Sequence, residues 1–513
     1  MRTIRVSLTH RKAELLSSYP SELNDILKYR KVGWDWTPSG KAYIHNKAAG
    51  IVDPVTGEIP GWDGYIHLMR DGEMGAGVFL AKKDEIEKTL SVKFKIKDQR
   101  LPLAFGPEEV TDLDKEGRIY QLECVEAMVN ASMTGGLVLQ ATGSGKTYTT
   151  GKFFRRLKGN ALFLVDELTL LKQAQDELGS VLGEDIGVIG NSIFDPKRIT
   201  VGTIQTVHLH RRDKSYSSWT KSLKVIIIDE VHLALNRRNF QTVRSINPPA
   251  IFGLTATLEL KKKHIAMQAY DLCGPVIYQY PLSQGVEEGY LSRGVAVQVL
   301  CDSGKPAPVR RGNKRFWFLN RMLGRKDYQK EYREYIVESE KRNELILSLV
   351  QACHSRGKYI IILVERVKHL ETLSAMFDGI PHLLLYGDKS VEERVEGKDL
   401  FEKGKVRVIL TNKIFKKGVN IKRVDVILDG AAMKSKNDAA QKYGRGVRLS
   451  DEKLGLIYLD IGDVGNRFEK AAKSRISAIK KLGVPIYKVD PQIGILKILD
   501  LAEKKLKVEV EKS

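Results

Sequence analysis

Cysteine is scarce in this chain and long apolar runs are missing. The four cysteines among 513 residues, Cys124, Cys273, Cys301 and Cys353, stand far apart, with no CxxC pair and no Cys/His set at metal-ligand spacing. That spacing speaks against a disulfide framework and against zinc, and it fits a reducing, cytoplasmic setting. The longest apolar stretches, 161–165 (ALFLV), 225–228 (VIII) and 359–364 (YIIILV), fall far below the ~20 residues that cross a bilayer, so no membrane span is expected. The N-terminal MRTIRVSLTHRKAELL alternates polar and apolar residues and lacks both an apolar h-region and a small-residue cleavage site, unlike a signal peptide. Acidic residues are in deficit as well: 63 Asp+Glu face 84 Lys+Arg, for a formal net charge of +21. Both signs are abundant at 29% charged residues, so the surplus is a bias rather than a polycationic tail, and disorder of the whole chain is excluded. A surplus of this kind attracts polyanions, of which nucleic acid is the commonest.

At about 150 residues per domain the length allows roughly three folding units. Residues 1–112 show little helical periodicity, strand-like alternation over Thr3–Leu8 and a turn-rich stretch at 57–69, the marks of a small α+β module. From 113 to 295, apolar runs of four to six residues alternate with amphipathic helices: 137–140, 162–165, 199–202, 225–229 and 250–254. The same pattern resumes over 335–483, at 359–364, 382–386, 406–410, 425–429 and 456–460. Short, fully apolar strands separated by crossover helices predict two α/β domains with parallel sheets. The intervening 296–334 is a basic, aromatic linker or insert. Its 305–333 stretch carries ten Lys/Arg against Asp327 and Glu331, interleaved with Phe316, Trp317, Phe318, Tyr328 and Tyr332. Such a segment is either a solvated linker with a few packed aromatics or a nucleic-acid contact surface. Residues 484–513 form a C-terminal tail.

The loop after the 137–140 strand reads Ala141-Thr142-Gly143-Ser144-Gly145-Lys146-Thr147 and opens a helix expected over Thr147–Leu157. In that setting it is a P-loop. Its glycines let backbone N–H groups turn toward phosphate oxygens, Lys146 reaches the β/γ-phosphates, and the Thr147 hydroxyl is placed for Mg2+. Gln140 stands where the strict pattern has Gly or Ala. A second element follows at 226–232, where an apolar strand ends in Asp229-Glu230-Val231-His232. Two carboxylates at a strand end supply a metal partner, Asp229, and a base for the attacking water, Glu230. Hydrolysis of ATP, beyond its binding, is therefore expected.

With these motifs in this order the chain resembles the superfamily 2 helicases and translocases of the DExH type over about 115–465. The resemblance implies two tandem RecA-like domains. It also implies that Arg118, Tyr120 and Gln121 recognise adenine and that Val165–Gln173 forms a further motif, in which Asp166-Glu167 replace the usual Pro-Thr. Thr203 and Gln205 would touch the nucleic-acid backbone, and Thr255-Ala256-Thr257 would couple hydrolysis to strand movement. In the second domain Thr411 resembles a nucleic-acid contact, and Gly418 and Asn420 a nucleotide contact with Asn420 in place of Asp. Gln441-Lys442-Tyr443-Gly444-Arg445-Gly446-Val447-Arg448 matches QxxGRxxR, which places Gln441, Arg445 and Arg448 among the catalytic residues and sends the arginine pair to the γ-phosphate.

Within the superfamily the likeness is nearest to phage branch-migration helicases of the UvsW type. It is carried by 61–68 (GWDGYIHL), with Trp62, and by 456–463 (LIYLDIGD) followed by a basic helix at 467–481; a tight turn around a packed Trp is the plainer account of the first segment. The resemblance implies an ATP-dependent motor, monomeric, without zinc or membrane attachment, that remodels branched DNA through backbone contacts. Arg310, Arg311, Lys314, Arg315 and Trp317 of the insert are candidate DNA contacts. An RNA helicase, or a double-stranded-DNA translocase without strand separation, are the alternatives.

Overall fold

The computed structural model describes residues 2–30, 35–36, 43–44, 65–106, 117–210, 213–304, 328–387, 389–412, 421, 423–432, 436–448 and 453–511. Trp62, Arg310, Arg311, Lys314, Arg315, Trp317, Gly418 and Asn420 lie outside the described residues. The chain forms two compact units, Met1–Gln140 with Gly145–Tyr280 and Ala141–Ser144 with Pro281–Ser513.

The first unit opens with a five-stranded sheet in the order β3-β4-β2-β1-β5, built from β1 (Arg2–Leu8), β2 (Lys12–Leu15), β3 (Met69–Arg70), β4 (Glu73–Gly75) and β5 (Val92–Asp98). Alternation puts Ile4, Val6 and Leu8 of β1 into the core while Thr3 and Arg5 face out. Helix α1 (Ala76–Leu90) covers the sheet through Val78, Phe79 and Ile86.

The rest of this unit is an eight-stranded sheet flanked by helices that include α2 (Ile119–Asn130) and α3 (Lys146–Arg156). Its strands are β6 (Gly135–Gln140), β7 (Asn160–Val165), β8 (Gly187–Gly190), β9 (Ile193–Asp195), β10 (Ile199–Thr203), β11 (Leu223–Ile228), β12 (Ala250–Thr255) and β13 (Val276–Tyr280), in the order β9-β8-β10-β7-β11-β12-β6-β13. All neighbours are parallel except the edge pair β8/β9. The apolar runs are continuous because both faces are covered: Val225 and Ile227 of β11 enter one hydrophobic cluster, Ile226 and Ile228 the opposite one. Each such side chain contributes about 1.5–3 kcal/mol of burial.

Helices α4 (Arg237–Ile246) and α5 (Lys263–Leu272) also serve the N-terminal module. Met267 of α5 is part of that module's core. Arg11 donates to the Leu272 carbonyl (2.7 Å), and Arg244 of α4 pairs with Asp271 (2.7 Å). A side chain at Gly77 would collide with the Tyr270 carbonyl, so α1 can approach α5 only because residue 77 has none.

The second unit has a seven-stranded, all-parallel sheet, β16-β17-β15-β18-β19-β14-β20. Its strands are β14 (Gly294–Cys301), β15 (Ile360–Leu363), β16 (His382–Leu385), β17 (Val408–Thr411), β18 (Val426–Asp429), β19 (Leu456–Asp463) and β20 (Ile486–Val489). Around it lie α6 (Glu340–Ser355), α7 (Lys436–Gly446), α8 (Glu469–Lys480) and α9 (Ile495–Glu511). Two expectations are corrected here. Most of β14 falls in 296–334, read as linker, yet it pairs along its whole length with β19. The segment read as a C-terminal tail supplies β20 and α9, whose Ile498, Leu499, Ala502 and Leu506 are core residues. The basic helix, α8, is likewise half internal: Lys470 and Lys473 are exposed, but Arg475 is buried and donates to Asp460 (2.6 Å). Among the described residues no helix is long and apolar enough to cross a membrane, and no group of His, Cys, Asp and Glu could hold a metal ion by itself. All four cysteines are buried and free.

Candidate functional site

Strand β6 delivers the P-loop. Gly143 and Gly145 take φ of 88° and 79°, left-handed values that only glycine adopts without strain, and α3 starts at Lys146, one residue ahead of the expected Thr147. Ser144 is fully buried and donates to the Ala141 carbonyl at 2.6 Å, which closes the loop on itself. The Lys146 ammonium sits 3.5 Å from the Gln140 carbonyl. Thr142 and Thr147 lie in and after the loop, at the N-terminal end of α3, the end of a helix that favours an anion. The side chain of Gln140, 1% exposed, has no hydrogen-bond partner among the described residues.

Gln121 lies beside this loop. Its Oε1 accepts from the Arg118 backbone N–H (3.1 Å), and a Cβ at Gly145 would stand 2.7 Å from its Nε2. Tyr120 is 1% exposed and stacks on Tyr280 at 3.9 Å and 12°. Its ring is thus covered, and its hydroxyl accepts from Arg118 Nη1 at 3.2 Å.

Asp229 and Glu230 follow β11, and the Asp229 N–H still donates to Leu164 of β7 (2.9 Å). Glu230 has φ 51°, a left-handed kink that turns the chain out of the sheet. Thr255, at the end of β12, donates to Glu230 Oε2 (2.8 Å), and His232 Nδ1 stands 3.3 Å from the same oxygen. Burial by itself would raise the Glu230 carboxyl. The bond from His232, the charge of Lys146 and the Thr255 hydroxyl overcome it and hold the group at about 2. Glu230 is thus an anion at neutral pH with one oxygen restrained. The Thr257 N–H donates to Thr255 Oγ1 (3.2 Å), so Thr255-Ala256-Thr257 is wired directly to the carboxylate.

The expected nucleic-acid contacts divide. Gln205 is exposed and reaches Asp166 (3.4 Å), whereas Thr203 is 3% exposed with its hydroxyl on Thr206 (2.9 Å). Thr411 ends β17 and is buried, its hydroxyl without a partner among the described residues. Gln441 and Arg445 lie on α7, and Arg448 follows it. The exit of α7 is clamped: Ser292 donates from its N–H to the Val447 carbonyl (2.7 Å) and from its hydroxyl to the Arg448 carbonyl (3.2 Å), and Lys453 caps the Gly446 carbonyl (2.6 Å).

The motifs leave out Asp429, Lys442 and Tyr458, which meet in the core beneath α7. A strand ending in Asp, DVILD, was the available signal, but its partner stands 13 positions away in a segment whose Gly and Arg draw the eye.

Residues 114–260 match the family model of the type III restriction enzyme res subunit, and residues 341–450 that of the helicase conserved C-terminal domain. The chain is similar to a type I restriction enzyme EcoAI endonuclease subunit of Escherichia coli (24% identity, over 71% of this chain and 48% of that protein). It is also similar to the DNA 3′-5′ translocase XPB2 of Sulfurisphaera tokodaii (25%, over 73% and 87%). The chain thus spans about half the length of the restriction subunit. Among solved structures, a variant of S. cerevisiae Dbp5 bound to RNA and ADP BeF3 aligns with a TM-score of 0.54 at 15% identity, over 79% of this chain and 99% of that one. T4 UvsW aligns over 96% of this chain and 100% of that one, with a TM-score of 0.41 and 18% identity. Both large sheets have the RecA-like fold of helicase motor domains.

Proposed function

Since the chain belongs to the superfamily 2 helicases and translocases, we propose that it is an ATP-dependent DNA motor that remodels branched DNA, such as forks, D-loops and Holliday junctions, in recombination, repair and replication. The observation that carries the hydrolytic part is the ionised Glu230, restrained by Thr255 and His232 and within the field of Lys146. A glycine loop without side chains in the way and two carboxylates at a strand end suit ATP with Mg2+. Thr147 and Asp229 would hold the metal, which when bound offsets phosphate charge. Lys146 binds the β/γ-phosphates, Glu230 orients water and takes its proton, Gln121 reads the adenine edge, and Arg445 and Arg448 supply positive charge to the transferring phosphoryl group.

DNA as the substrate is supported by XPB2, a DNA translocase by name, of which this chain covers 87%. Preference for branches rests on 61–68 and Trp62, and contact with the backbone on the basic surplus. The test is ATPase and remodelling on Holliday junctions, forks, plain duplex, single-stranded DNA and RNA, with Lys146→Ala and Glu230→Gln as controls. Junctions and forks should stimulate most, and stimulation should fall steeply with salt. Equal stimulation by RNA would sink the DNA reading, and equal activity on plain duplex the branch reading.

A further inference from the structure

Lys442 follows Gln441 and precedes Arg445, yet it points the other way. It is 4% exposed, and its ammonium donates to both oxygens of Asp429, each at 2.8 Å. Asp429 ends β18, is fully buried, and also accepts from the Tyr458 hydroxyl (2.6 Å) and the Ala431 N–H (3.1 Å). Burial opposes its charge, but Lys442 and Arg475 prevail and keep the carboxyl below its usual range. A carboxylate with four hydrogen bonds is a fixed point in the lobe.

The face of α7 that carries Lys442 is also sterically keyed. Gly446, one turn on, presents no side chain, and a Cβ there would stand 2.7 Å from Ile427 and from Leu456. Gln441 and Arg445, themselves one turn apart, form the adjacent face. A one-residue rotation of α7 would pull Lys442 off Asp429 and swing Gln441 and Arg445 by about 100°.

We propose that Lys442 is a positioning residue for phosphoryl transfer: through Asp429 and Tyr458 it sets the rotation of α7 and so the aim of Arg445 and Arg448. The proposal rests on the reading of those two arginines as the groups that meet the phosphoryl charge. Its rival is a pair that only holds the fold. A buried ion pair can often be replaced by apolar residues without loss of stability, which separates the two.

The experiment measures kcat and KM for ATP in the DNA-stimulated reaction, together with melting temperature, on the full chain. Lys442→Met should lower kcat by roughly 10- to 100-fold, as misplacement of about 1 Å does, with KM within about twofold. The triple variant Asp429→Leu/Lys442→Met/Tyr458→Phe should regain the melting temperature but not kcat. Lys442→Met added to the pair Arg445→Ala/Arg448→Ala should be no slower than that pair alone, because the loss passes through those two arginines. Recovery of kcat in the triple variant, full kcat in Lys442→Met, or a further loss when Lys442→Met is added to the arginine-free pair would each overturn the proposal while leaving the arginine reading intact. Full kcat in both Arg445→Ala and Arg448→Ala would instead remove that reading and the proposal with it. Should the apolar variants not fold, Tyr458→Phe carries the test: a drop in kcat of about two- to fivefold at unchanged KM is expected, and full kcat refutes the assignment.

Discussion

In the first large sheet β11 runs fourth in from the edge strand β13 and leads into Asp229 and Glu230; in the second, β18 runs fourth in from β20 and ends on Asp429. The two positions correspond, and their carboxylates are used in opposite ways. Glu230 keeps 19% of its side chain exposed, beside a left-handed kink and a histidine 18% exposed. Asp429 has no exposure at all, and its oxygens accept from Lys442 and Tyr458. Ligands in open α/β sheets collect at the carboxyl ends of strands. A strand-end carboxylate is available for chemistry only where the following loop leaves it reachable. Neutralised from within, the same group becomes an anchor.

Substitution of each carboxylate by its amide should separate the roles most widely. Glu230→Gln is expected to cut DNA-stimulated ATPase by about 10²–10⁴-fold with the melting temperature little changed, and Lys146→Ala to do the same through lost phosphate binding; steady-state rates and calorimetry check both. Asp429→Asn should do the reverse in stability, costing about 3–5 kcal/mol in urea unfolding because the Lys442 charge is left buried without its partner. A large stability loss from Glu230→Gln, or none from Asp429→Asn, would break the comparison. Tyr458→Phe sharpens it at smaller scale, with about 1.5–3 kcal/mol lost for one hydrogen bond to a charged group.

The smallest effect is on the alkaline flank of stability. In the second lobe burial lowers Lys453 to about 8 from 10.5, so the unfolded chain binds the extra proton and stability rises between pH 8 and 10.5. Melting curves against pH should flatten on the alkaline side in Lys453→Met.

Much of this was legible in the sequence because the informative residues are contiguous. The β7 and β11 runs declare themselves since both faces are buried, and the P-loop and Asp229–His232 are each read within one turn of chain. What was hidden depends on contacts across sequence. Strand β14, GVAVQVLC, carries Gln298 in its middle and resembles a boundary, yet Gln298 is buried and donates to Asp460 at 2.7 Å. Arg475 counts as one more positive charge on a basic helix until Asp460 is placed beside it. Tyr120 looks like a ligand contact until Tyr280, 160 positions away, covers its face.

The docking of the N-terminal module bears on how this protein can be taken apart. Met267 belongs to the module's core, and Arg11 reaches over to the end of α5. A chain begun at residue 113 would lay Met267 open to water and strip the end of α5 of its guanidinium partner. Such a deletion would report on an injured neighbouring domain as much as on the missing module, and point changes on the outward face of β1 and β5 are the cleaner instrument.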